Sequence, residues 1–160
     1  MNAGRAFVGL GANLGAASAV VQAAITQIAS LPGTELVASS SLYRSAPVDA
    51  GGPDYVNAVI ELRTTLAPLP LLRRLLDIEQ THGRERSVRN APRTLDLDLL
   101  LWGDTAMQTA ELTLPHPRLH QRAFVLRPLA EIAPGLELPG LGGLAPWLAA
   151  AADQTIERLP

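Results

Sequence analysis

The apolar positions of this chain change period several times, and each change marks an element. Arg5 to Leu10 is a short apolar run that stops at Gly11-Ala12-Asn13-Leu14-Gly15, which predicts a strand and then a glycine turn. From Ala16 to Ser30, Val20, Ala24, Ile25 and Ile28 recur at helical spacing, and Pro32-Gly33 closes the helix. Thr34 to Tyr43 predicts a second strand with a polar, mixed face, and Asp54 to Thr65 a third. Between them Arg44 to Pro53 carries Pro47 and Gly51-Gly52-Pro53, too many breakers for regular structure. Pro68 to His82 predicts a second helix, with proline near its start and Gly83 at its stop. Its apolar stripe takes in Leu71, Leu72, Leu75, Leu76 and Ile78 or Glu79.

The clearest pattern runs from Pro92 to Trp102. Leu95, Leu97 and Leu99 alternate with Asp96 and Asp98, the period of a half-buried strand. Successive side chains of a strand point to opposite faces, so both carboxylates share one face, about 6–7 Å apart, and the leucines the other. Gly103-Asp104 marks a turn, with a short strand near Leu112, a third helix over Arg122 to Ile132, and a last short helix from Ala145 to Ala152. Strand–helix–strand–strand–helix–strand followed by further helices is the order of a ferredoxin-like βαββαβ unit. The expected fold is α+β and three-layered (αβα): a mostly antiparallel, four-stranded sheet with the first two helices on one face and the later additions on the other. The whole chain, 1–160, reads as one domain.

Composition narrows the function classes. Hydrophobic residues make up 48% and charged residues 18%, which excludes a disordered chain, and a net charge of -2 gives no global attraction to nucleic acid or to an anionic membrane. With no cysteine there is no disulfide and no thiolate metal site. Neither a signal peptide nor a long apolar span is present, so the chain reads as soluble and cytoplasmic. Gly9-x-Gly11 is a weak dinucleotide signal, because no strand–helix–strand alternation continues it and Glu35 stands at the wrong end of the second strand for a ribose.

Candidate chemistry gathers at the acidic strand. Asp96 and Asp98 on one face repel each other, and a divalent cation that also grips substrate phosphates resolves the repulsion. Arg84, Arg86, Arg89 and Arg93 precede the strand closely, which suits a metal-bound polyphosphate. His116, fixed between Pro115 and Pro117, could join Arg118, His120 and Arg122 as a further donor cluster around phosphate. Tyr55 and Asn57, two apart, share a face at the start of the third strand. On these residues alone a metal-dependent phosphoryl or nucleotidyl transferase and a non-catalytic ferredoxin-like binding module both remain open.

Longer blocks narrow the choice. Gly9-Leu10-Gly11-Ala12-Asn13-Leu14, Tyr43-Arg44-Ser45-Ala46-Pro47, Pro53-Asp54-Tyr55-Val56-Asn57-Ala58, Ile78-Glu79 with Gly83-Arg84, Pro92 to Asp98, and Leu114-Pro115-His116-Pro117 with Arg122 to Leu126 stand in the order seen in one family. The chain resembles the 6-hydroxymethyl-7,8-dihydropterin pyrophosphokinases of folate biosynthesis over nearly its whole length. The resemblance implies a monomeric ferredoxin-like enzyme that uses ATP and two Mg²⁺ ions on the pterin, with no nucleic-acid or membrane partner. By the same resemblance Asp96 and Asp98 bind the metals, and Arg84 and Arg93 clamp phosphate as catalytic residues. Arg86, Leu99, Thr113, His116 and Arg122 contact ATP, with Glu79 near its ribose and base. Tyr55, Asn57 and Phe124 contact the pterin, and Ser45, Pro47 and Val48 form a rim around it. Asn90-Ala91 stands where many members carry Trp-Gly, Leu76 where some have glutamine, and Pro117 where some have tyrosine.

Overall fold

The computed structural model describes residues 3–13, 16–46, 54–82 and 95–160. Strand β1 (Gly4–Ala12) leads into helix α1 (Ala17–Ala29), then β2 (Thr34–Ser39), β3 (Tyr43–Ser45), β4 (Tyr55–Thr64), α2 (Pro68–Thr81) and β5 (Asp96–Trp102). Two small strands follow, β6 (Met107–Gln108) and β7 (Thr113–Leu114), then a 3-10 turn at Leu119–Gln121 and helix α3 (Ala123–Ile132). The tail makes the hairpin β8 (Glu137–Leu138) and β9 (Gly142–Gly143), helix α4 (Ala145–Ala150) and strand β10 (Ile156–Arg158).

Among the described residues the main sheet has six strands in the order β10-β3-β4-β1-β5, with β2 also on the edge of β4. β4 pairs antiparallel with β1, β2 and β3, and β1 antiparallel with β5. The fold is therefore α+β in the expected order, with two departures from four strands. The second strand is broken in two, because at the break Ser40 bonds to Val59 both through its backbone N–H and through its hydroxyl, which accepts the Val59 N–H at 3.0 Å. The tail supplies β10, which closes over β3.

Period-two alternation sorts the sheet residues between two cores. Ala6, Val8, Leu10 and Ala12 of β1, with Leu97 and Leu99 of β5, pack under α1 and α2. The helices answer with Val21, Ala24 and Ile28 from α1 and Leu71, Leu75 and Ile78 from α2. This stripe is narrower than the sequence suggests, since Leu76 is 41% exposed. On the other face Phe7, Val59, Leu100 and Leu101 pack against Leu126 and Leu129 of α3 and the tail. A ten-residue helix is marginal alone, so α3 depends on this burial, worth about 1.5–3 kcal/mol per large apolar side chain.

Alternation fails once in β5. Phe7 pairs with Leu101 and Val8 with Leu99, so Leu100 is the extra residue of a bulge. Leu100 and Leu101 consequently enter the same core. The carbonyl of Leu100 accepts the N–H of His116 at 2.9 Å, which anchors the segment after the cis Leu114–Pro115 bond beside the acidic strand.

Candidate active site

Strand register builds the site. Gly11 of β1 lies opposite Asn57 on one side and Asp96 on the other, and Gly9 lies between Val59 and Asp98. On the face away from α1 and α2, β1 therefore presents Phe7 and then two positions without side chains. Neighbouring strands are about 4.8 Å apart, so Asn57 and Asp96 face each other across roughly 10 Å of bare backbone. The result is a cleft of about 280 Å³ floored by the two glycines, with Phe124 and Arg122 of the α3 segment forming the opposite wall. A Cβ on Gly11 would lie 3.1 Å from Asn57 Nδ2, tighter than an ordinary contact, so a side chain there would press on the Asn57 amide. The sequence signal for this was the same Gly9-x-Gly11 spacing: two glycines two apart on one strand face leave a hole in that face.

At one end of the cleft Asn57 is 5% exposed and Ser45 7%. The Ser45 hydroxyl donates to Asn57 Oδ1 at 2.6 Å, which turns the Asn57 amide nitrogen toward Gly11 and the cleft. Tyr55 lines the same end. Ser45 is thus an orienting side chain as well as part of the rim. Its strand is held to α3 by Tyr43, whose hydroxyl donates to Glu131 Oε1 at 2.6 Å, while Ser41 donates to the same carboxylate through its N–H and its hydroxyl. Burial, reinforced by the Glu131 charge, pushes the Tyr43 phenol up to about 12.

At the other end Asp96 and Asp98 are half-buried on the cleft side of β5. The peptide between them is fixed from the sheet edge, where buried Glu79, 3% exposed, accepts the Leu97 N–H at 2.7 Å. His116 Nδ1 accepts the Arg118 N–H at 3.2 Å, so the ring proton sits on Nε2, which faces Asp98 Oδ1 at 3.9 Å. Burial pushes the His116 ring below its usual value; Asp98 pulls the other way by less, and Arg122 and Arg118 add to the downward push. A neutral ring donating from Nε2 suits phosphate oxygen. Among the described residues no three of His, Cys, Asp and Glu form a metal cluster. Two carboxylates on one strand face fit Mg²⁺ nonetheless, because that ion keeps several waters and takes its remaining ligands from substrate phosphates.

Of the sequence-expected residues, the cleft unites Ser45, Tyr55, Asn57, Asp96, Asp98, Arg122 and Phe124. His116 joins it through Asp98. Glu79 is turned to the backbone of β5, the Leu99 side chain is buried under α1 and α2, and Thr113 stands on β7; none of the three lines the cleft. Arg84, Arg86, Arg89, Arg93, Pro47, Val48 and Asn90-Ala91 lie outside the described residues. Within the expected cluster of His116, Arg118, His120 and Arg122, His120 is half-buried and packs its ring edge-on to Trp147 of α4 at 4.8 Å. Arg122 stays close enough to His116 for its charge to act on that ring, and it also lies over Phe124, with 5.4 Å from guanidinium carbon to ring centre.

The class that emerges is an antiparallel α+β domain whose cleft carries a carboxylate pair at one end and a carboxamide with aromatic rings at the other. The family model for 7,8-dihydro-6-hydroxymethylpterin-pyrophosphokinase matches residues 7–134. A Pseudomonas aeruginosa protein named 2-amino-4-hydroxy-6-hydroxymethyldihydropteridine pyrophosphokinase is 48% identical over 157 residues, covering 98% of this chain and 97% of its own length. A Haemophilus influenzae protein of the same name is 43% identical over 155 residues, 96% of this chain and 97% of its own. Among solved structures, a Plasmodium falciparum HPPK-DHPS with pterin and p-hydroxybenzoate superposes with a TM-score of 0.73 at 13% identity, which speaks for the fold. The match covers 93% of this chain, which spans 43% of that longer one. The chain belongs to the 7,8-dihydro-6-hydroxymethylpterin-pyrophosphokinase family and is an enzyme of that class.

Proposed function

We propose that the enzyme transfers the pyrophosphoryl group of ATP to 6-hydroxymethyl-7,8-dihydropterin in folate biosynthesis, releasing AMP and the pterin diphosphate. The observation that carries this reading is the glycine-floored cleft, which sets a ring-binding end and a carboxylate end about 10 Å apart on one sheet face. In the reaction the pterin hydroxymethyl oxygen bonds to the β-phosphorus, the bond from that phosphorus to the oxygen bridging the α-phosphate breaks, and the hydroxyl proton passes to solvent.

Asn57 donates its amide to the edge of the pterin in the orientation Ser45 sets, and Phe124 and Tyr55 flank the flat ring. Arg122 and the Nε2–H of His116 hold phosphate oxygens, and Arg84 and Arg93, outside the described residues, act as further phosphate clamps. Two magnesium ions, held by Asp96 and Asp98, would supply charge neutralisation on the polyphosphate. Chemistry of this kind is mostly positioning and electrostatics, so a general base among these residues is not required. The enzyme works as a monomer in the cytoplasm on small molecules, and its net charge of -2 gives it no global attraction to nucleic acid or to an anionic membrane.

Incubation with ATP and the pterin, with and without Mg²⁺, tests this directly. AMP should appear in step with pterin consumption and only with the metal; ADP as product would contradict it.

A further inference from the structure

The family match stops at residue 134, yet the tail returns to the site. Gln154 lies between α4 and β10. Its Oε1 accepts the N–H of Ala123 at 2.9 Å, and its Nε2 donates to the carbonyl of Gln121 at 2.8 Å. One carboxamide therefore bridges the peptide groups on both sides of Arg122, as a neighbouring strand would. Ala123 is the first residue of α3, and its N–H is among the orphan donors of a helix start; Arg122, the cap residue, offers no side-chain cap of its own. Arg122 is also where the chain turns from the 3-10 segment into α3, with extended backbone at φ -119° and ψ 114°.

The direction of the Arg122 side chain depends on that backbone. Arg122 and Phe124 form the wall between the 280 Å³ cleft and a second recess of about 580 Å³. Gln154 and Thr155 line that recess from the far side. The next residue, Ile156, pairs with Ser45, so the strand that orients Asn57 also fixes where Gln154 sits.

We propose that Gln154 is a positioning residue: by bonding to both neighbours of Arg122 it aims the guanidinium at the phosphate end of the cleft, and it influences turnover through Arg122. This rests on the pyrophosphokinase reading given above. A plain helix cap would instead support stability and leave kinetics below the melting transition untouched.

A double-mutant cycle separates the two roles. Gln154→Ala should lower kcat/KM for ATP by about tenfold in the wild-type background, and by less than about twofold when Arg122 is already alanine. Gln154→Glu keeps an acceptor for Ala123 but loses the donor to Gln121, and should keep the melting temperature while losing kcat/KM as the alanine variant does. Unchanged kinetics for Gln154→Ala, equal losses in both backgrounds, or wild-type kinetics for Gln154→Glu would each overturn the proposal. A wild-type protein that makes no AMP overturns the functional reading; the same cycle on affinity for a nonhydrolysable ATP analogue with Mg²⁺ then decides the Gln154 proposal by the same criteria.

Discussion

The backbone N–H of Leu97 donates to the buried carboxylate of Glu79 at 2.7 Å, midway between Asp96 and Asp98. Among the described residues β5 is an edge strand with no ladder partner beyond it for this N–H, and α2 supplies an acceptor from Glu79. Hydrogen bonds to charged groups contribute about 1.5–3 kcal/mol, and leaving a buried partner unmade costs as much. Glu79→Ala should therefore destabilise the protein by about 1–3 kcal/mol in denaturant unfolding and raise the Mg²⁺ concentration needed for half-maximal rate. A variant with wild-type stability would show that the bond does not hold the strand.

Ser45→Ala removes the donor that fixes Asn57 Oδ1 and leaves the amide free to rotate. The expected result is about tenfold weaker pterin binding with ATP affinity nearly unchanged, read by titration with a pterin analogue. Equal weakening of both ligands would place Ser45 in general folding and not at the ring end.

Gly11→Ala puts a methyl group 3.1 Å from Asn57 Nδ2, on the floor of the cleft. It should raise KM for the pterin more than KM for ATP, with a small change in melting temperature. A substitution without kinetic effect would mean that the glycine floor is not where the ring lies.

Glu131 ties β3 to α3 and sets two limits on stability against pH. Burial pushes its carboxyl up, but hydrogen bonds from Tyr43 and Ser41, with Arg158 at 3.6 Å, more than offset this and hold it below its usual 4.5. Its contribution is present above that value and lost as pH falls through the lowered one. Tyr43, raised from 10.0 to about 12, contributes below pH 10 and loses that contribution as pH rises toward 12. Tyr43→Phe should flatten the alkaline limb of a melting-temperature profile, and Glu131→Gln should flatten the acid limb while only lessening the alkaline one, because burial still raises Tyr43.

Much of this was legible in the chain. Two-residue alternation put Asp96 and Asp98 on one face, helical spacing found α1 and α2, and glycine and proline marked the turns. What escaped depends on contacts distant in sequence. The break between β2 and β3 follows from Ser40 bonding to Val59, nineteen residues on, and the Ser45–Asn57 pair needs the register of β3 on β4. The Leu100 bulge falls where the run Leu99-Leu100-Leu101 ends the alternation, but that run alone does not say which face each leucine takes. β10 and Gln154 matter only because the tail folds back onto β3 and α3, and His120 was drawn away from phosphate by Trp147.

The central claim is that one cleft holds two separable ends, with the carboxylate pair serving chemistry and not ring binding. Its most direct test is the rate of AMP formation by Asp96→Ala and Asp98→Ala at saturating Mg²⁺, measured beside pterin-analogue affinity on the same preparations. The account expects turnover below about a tenth of wild type, with pterin affinity within about twofold. Turnover above that level, or loss of pterin binding in step with turnover, would contradict it.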